Sequence, residues 1–327
     1  MMQHGNLKDL GRVAAIPARN TTVDFLRAVS VLWIVGFWHP IGYSPIREVG
    51  KNAVTLMATV AALGLFVLLS GYLQGGRGRS FFDFYRRRFW RIYVPFVGAS
   101  LLFIIMNIGD HLSLIKGVFL VAMLDEPAAV TLWFINMIML FYLCTPALLW
   151  IKRRSLTLLL IISATILLGL LAADWFWERL DNRLVIYFPC FVAGIVLSGS
   201  APPKMVWPVV FVAAVACVAT LPAPTDGTDI ILLPWAVLAS LCVFCLTSGR
   251  LDDLSDTATM WIERAAYASF FAYLLHRPVY RMLEALSAAI GLDPLILIVA
   301  LGVPTTAIAA YFLQKGYDRL LASARIA

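Results

Sequence analysis

Ionisable side chains are costly in hydrocarbon, so those inside or at the ends of apolar runs are candidates for function. The stretch SVLWIVGFWHP (30–40) ends in an imidazole, His39, directly before Pro40, and Arg27 lies near the start of the same run. A second imidazole, His276, stands beside Arg277 in YLLHRPVY, and Arg88 and Arg91 lie one helical turn apart in RRRFWR. An imidazole with an ordinary pKa near 6.5 can move a proton near neutral pH or act as a nucleophile. Guanidinium groups grip phosphate through forked, charge-assisted hydrogen bonds.

Each residue also has a plainer reading. Arg27 either serves a site or snorkels to the nearer headgroups, and a lone histidine is often a packing residue. Pro40 weighs against that for His39. Proline disfavours helical geometry in the residue before it, and a break at membrane depth is tolerated only against protein or a wet cavity. His276, two residues before Pro278, gives a second kinked helix end, where a structural or acceptor-side role stands beside chemistry. His111 and His4 have no such context.

The elements that must position these groups are membrane helices. Of the 327 residues 61% are apolar and 14% charged, against roughly 45–50% and about 25% in soluble domains. About ten helices can be drawn, at 23–43, 54–74, 91–108, 131–150, 156–173, 184–199, 205–221, 230–248, 266–284 and 294–313, which makes an all-α polytopic bundle. With this drawing most Lys and Arg residues fall on the side of both termini, which places the N- and C-termini in the cytoplasm. The expected organisation is a cytoplasmic tail at 1–22 without a secretory leader's apolar core, one transmembrane domain at 23–313, and a second tail at 314–327.

Topology accounts for most of the net charge of +7, and nucleic-acid binding has no support, because the basic residues are dispersed over loops. All five cysteines lie in apolar blocks, and Cys242 and Cys245, one turn apart, read as a packing pair rather than a redox motif. No metal site is expected. Trp175 and Trp177 suit the headgroup level, and the 114–124 run is too short to span, so it either re-enters or lies at the interface.

The motifs also carry a resemblance. TTVDFLRAVSVLWIVGFWHP resembles the first helix of acyltransferase family 3, the membrane enzymes that O-acylate surface glycans and other acceptors. LGLFVLLSGYLQ (63–74) is similar to the family's run ending in Ser-Gly-Phe/Tyr, and FYRRRFWRIYVPF (84–96) to its RxxR segment. TLWFINMIMLFYLCTP (131–146) is similar to its Leu-Trp-Phe helix, and YASFFAYLLHRPVY (267–280) to its late Ser-x-x-x-Tyr-Leu-x-His-x-Pro helix.

The resemblance implies that His39 is the catalytic histidine with Arg27 its companion, and that Arg88 and Arg91, with Arg87 beside them, bind the donor. It names that donor as acyl-CoA, commonly acetyl-CoA, taken from the cytoplasmic side of the inner membrane by a multi-pass O-acetylating enzyme of the polysaccharide-modifying type. The acceptor is then a hydroxyl of a glycan, a lipid-linked sugar or similar. His39 acts either as base or as acyl-accepting nucleophile, and an oxyanion donor can come from Ser70, Tyr72, Asn136, Tyr273 or His276, with Trp133 shaping the pocket. The GGRGRSFFDFYRRRFWR loop, with Arg77, Arg79, Arg86, Arg87, Arg88 and Arg91, reads either as this phosphate grip or as ordinary positive-inside bias that attracts anionic lipid. A secondary transporter and a non-catalytic protein retaining the acyltransferase fold are the alternatives.

One departure from the family pattern yields a structural prediction. AVSVLWIVGFW places one more residue between Arg27 and His39 than the pattern has. A straight helix would leave the two side chains about 120° apart, at about 100° per residue and some 18 Å along the axis. A π-turn absorbs one extra residue. We therefore expect a π or otherwise irregular turn between Trp33 and His39.

Overall fold

The computed structural model describes residues 20–75, 80–199, 207–220, 226–251 and 253–324. The tail at 1–19 with His4, the loop arginines Arg77 and Arg79, and residues 325–327 lie outside them. The described residues are helical, with no strand among them. We number the helices α1 (Thr21–Ile41), α2 (Ala53–Tyr72), α3 (Phe81–Ile105), α4 (His111–Val118), α5 (Trp133–Arg154), α6 (Leu156–Trp177), α7 (Arg183–Leu197), α8 (Trp207–Thr220), α9 (Leu233–Thr247), α10 (Asp256–Ile290) and α11 (Pro294–Ser323).

Seven of these, counting α9 from Ile230, are long and apolar enough to cross a membrane. The other drawn spans fall on α7 (15 residues), α8 (14 residues) and α10, which is 35 residues long and less apolar. Three helices outrun the drawn spans by ten residues at one end. α3 begins at Phe81 rather than 91, α10 runs from Asp256 rather than 266, and α11 continues to Ser323 rather than 313, into the expected tail, because charge ends an apolar run without ending a helix. The 114–124 run divides between the second half of α4, which packs on α3 and α5 with Leu114 fully buried, and the turn after it, where Met123 is fully buried.

Helix α2 is the central post. It packs on α7, α9 and α1, and its buried face, Val60 to Leu69, sits in the main apolar core. The α2–α7 crossing is made by bare backbone. A β-carbon on Gly71 would stand 2.2 Å from the Phe191 carbonyl oxygen, and one on Gly194 would stand 2.0 Å from that of Leu68. Small residues at such crossings let two helices touch without an intervening side chain. α10 packs against α11 on one side and α1 on the other.

Candidate active site

Helix α1 contains the expected irregularity. Residues Ile34–Trp38 form a π-turn, closed by the His39 N–H donating to the Ile34 carbonyl. Proline explains its place. Pro40 has no N–H, so once His39 bonds to Ile34, the Val35 carbonyl has neither an α nor a π partner in its own helix. The Tyr280 hydroxyl donates to that carbonyl at 2.6 Å, buried between α1 and α10. α1 is thereby pinned at its distorted turn.

The distortion turns both chemical side chains of α1 towards one face of α10. Arg27 Nη2 donates to Ser269 Oγ at 3.4 Å, with its guanidinium 5.8 Å from the centre of the Phe66 ring. His39 stacks on His276 with ring centres 4.6 Å apart and planes within 7°. Ser269 and His276 are seven positions apart, two turns of one helix face.

The imidazole pair is buried, His39 at 9% exposure and His276 at 0%. His276 Nδ1–H donates to the Tyr273 carbonyl at 2.7 Å, which leaves Nε2 as the acceptor nitrogen. Neither His276 Nε2 nor His39 Nδ1 has a hydrogen-bond partner among the described residues. Buried polar atoms of this kind are uncommon and mark places where a ligand or proton can enter.

At the other end of the bundle lies a cavity of about 430 Å³. Arg27, Ser70, Arg87, Arg88 and Arg91 line it, together with Gln74 and Gln314. Arg88 donates to Gln74 Oε1 and lies 4.3 Å from the Phe84 ring centre and 5.1 Å from that of Tyr142. Gln74 Nε2 in turn donates to the Ser70 carbonyl at 2.6 Å. Such a lining has the donor chemistry to hold a phosphate-bearing group.

A small apolar cavity of about 30 Å³ shares Phe66, Phe134, Ile135 and Phe270 with the large one and continues to Ile34 and Tyr273. It ends about one helical turn short of the imidazoles, since His39 and His276 follow Ile34 and Tyr273 along their helices. The rings of Phe66, Phe134 and Phe270 thus form a neck between the arginine end and the histidine end.

The remaining expected residues divide. Tyr273 reaches the neck, but its hydroxyl donates to the Thr131 carbonyl, and the Ser70 hydroxyl donates to the Phe66 carbonyl at 2.9 Å. Tyr72 packs on Phe244, with ring centres 5.0 Å apart, and takes no part in the cavity lining. Asn136 is fully buried towards Gly117, away from both cavities. Trp133 stacks under the Arg183 guanidinium at 4.0 Å and beside Tyr187. The sequence reading missed Gln74, Gln314 and Tyr280. Gln74 is one turn after Ser70 in the quoted SGYLQ run, and Tyr280 is one turn after His276, so spacing alone held a signal for both.

Beyond His39 the chain turns out of α1, and Lys51 folds back over it. Its ammonium lies 4.9 Å from the centre of the Trp38 ring. Burial, then Arg277 and Arg47, hold Lys51 below the usual lysine range.

The described residues thus form a helical bundle, with helices long and apolar enough to cross a membrane, that holds a buried imidazole pair and an arginine-lined cavity on either side of an apolar neck. An acyltransferase-domain family model, that of acyltransferase family 3, matches residues 20–314, and the chain belongs to this family of enzymes. No curated protein and no solved structure matches it.

Proposed function

We propose that the protein is a multi-pass inner-membrane O-acyltransferase of about ten spans with both termini cytoplasmic. It moves an acyl group, acetyl in the first instance, from acyl-CoA to a hydroxyl of a glycan, lipid-linked sugar or similar acceptor. The arginine end faces the cytoplasm and receives the CoA phosphates at Arg87, Arg88 and Arg91, with Arg27 at the rim of the neck. The histidine end receives the acceptor. The single observation that carries this reading is the π-turn, which brings Arg27 and His39 onto one face of α10 with the aromatic neck between them.

Two routes are open to His39. As a base it takes the hydroxyl proton while the acceptor oxygen bonds to the thioester carbonyl carbon; the C–S bond breaks and the departing sulfur receives the proton. As a nucleophile its ring nitrogen bonds to the carbonyl carbon first, the thiol leaves, and the acceptor hydroxyl then displaces the imidazole. Purified protein incubated with labelled acetyl-CoA and candidate glycans should transfer label, and His39→Ala should lower the rate by about 10²–10⁴-fold. Quenching in cold denaturant near neutral pH within the first turnover separates the routes, because only the nucleophilic one leaves label on the protein. Equal transfer by both forms would overturn the assignment.

A further inference from the structure

The turn directly after His39 gathers positive charge that no carboxylate among the described residues neutralises. Gly42 N–H donates to the His39 carbonyl and Tyr43 N–H to that of Pro40, each at 3.0 Å, so these two residues sit immediately beyond the imidazole. Lys51 and Arg277 reach this turn from different elements. A β-carbon on Gly42 would stand 3.2 Å from Lys51 Nζ, while Arg277 Nη1 donates to the Tyr43 hydroxyl at 3.2 Å and its Nε to Thr131 Oγ1 at 2.9 Å. Arg47 stands close by on the short helical turn Arg47–Gly50.

Every protein group that these contacts use is neutral: the Trp38 and Tyr43 ring faces and two hydroxyls. Among the described residues no carboxylate pairs with Lys51, Arg277 or Arg47, although exposed Glu48 is adjacent in sequence. The other cations on the His39 side of the drawn spans differ. Lys116 and Arg179 both pair with Asp125, Arg183 with Asp181, and Arg281 with Glu284. Two half-buried cations and a third beside them repel one another, a cost that a shared anion removes.

We infer that this turn is an anion-binding subsite for the acyl acceptor, which carries a carboxylate or phosphate beside the hydroxyl presented to His39. The inference rests on the acyl-transfer reading above. It narrows the acceptor to an acidic glycan or a phosphate-linked sugar, held by Lys51 and Arg277 so that a neighbouring hydroxyl lies over the imidazole.

The test uses membranes carrying the full chain, incubated with labelled acetyl-CoA, and fractionates whatever product depends on His39. That product is expected to bind an anion exchanger and to partition away from glycerophospholipid. Lys51→Gln and Arg277→Gln should each lower labelling about tenfold or more at limiting acceptor, the loss of one charge-assisted hydrogen bond, with Lys51→Arg restoring much of it. Arg281→Gln removes an equal but already paired charge from the same helix as Arg277 and should change labelling by less than about twofold. A neutral product, label in a glycerophospholipid, or equal effects of Lys51→Gln and Arg281→Gln would overturn the subsite. Absence of any His39-dependent label would instead strike the acyl-transfer reading itself.

Discussion

The π-turns of α1 and α3 are one distortion used at opposite ends of the bundle. Ile34–Trp38 precedes Pro40, and Phe89–Tyr93 precedes Pro95, with the same single residue between turn and proline. In each, the N–H just before the proline reaches back five residues, to Ile34 or to Phe89, and strands the next carbonyl. In each, a tyrosine hydroxyl from another helix takes that carbonyl: Tyr280 of α10 for Val35, and Tyr317 of α11 for Trp90. A third π-turn, Ile298–Gly302 before Pro304 in α11, differs. Val299 is 50% exposed, and its carbonyl receives no side-chain donor among the described residues. The turn thus forms with or without a tyrosine, and the tyrosine is added at the two turns that carry His39 and the arginines.

This comparison can be broken by substitution. The largest effect is expected from Arg88→Gln combined with Arg91→Gln, which removes two guanidinium donors from the cavity. CoA binding, titrated across salt concentrations, should weaken by about 10²-fold or more and lose much of its salt dependence. Tyr280→Phe comes next. It leaves the buried Val35 carbonyl without a donor, which costs about 1–3 kcal/mol in thermal unfolding, and loosens the register of His39 so that kcat falls about tenfold while the KM for acetyl-CoA holds. Tyr317→Phe acts at a half-buried bond and should cost about 1 kcal/mol, read chiefly as a raised KM for acetyl-CoA. Pro304→Ala, at the uncapped turn, should leave transfer unchanged and stability within about 0.5 kcal/mol. If Tyr280→Phe behaved like Pro304→Ala, the tyrosine caps would have no bearing on the chemistry.

The three turns also measure what the sequence can disclose. The α1 turn was legible because an extra residue between Arg27 and His39 violates helical phase and Pro40 marks where the strain falls. Pro95 and Pro304 carry the same local mark but break no visible spacing, so nothing in the sequence singles out a π-turn there. The arginines of the cavity were legible from RxxR and the loop around it, and Gln74 from its spacing after Ser70, whereas Gln314 joins them only through the fold. Asn136 and Tyr72 show the converse. Polar residues in motif-bearing helices were credible pocket donors, yet the face each presents is fixed by packing on Gly117 or Phe244, which no local pattern states. The pairing of His39 with His276 likewise joins segments more than two hundred positions apart.

Gln74 holds Arg88 by a neutral amide oxygen while its own nitrogen is anchored to the Ser70 carbonyl. An amide oxygen is a weak substitute for a doubly charged phosphate, yet it keeps the guanidinium aimed before any nucleotide arrives. On the proposed acyl-CoA reading, a donor phosphate that displaced this oxygen would release the tie that the turn after α2 makes to α3. Docking of the donor would then be felt along the very helix that supplies Phe66 to the constriction.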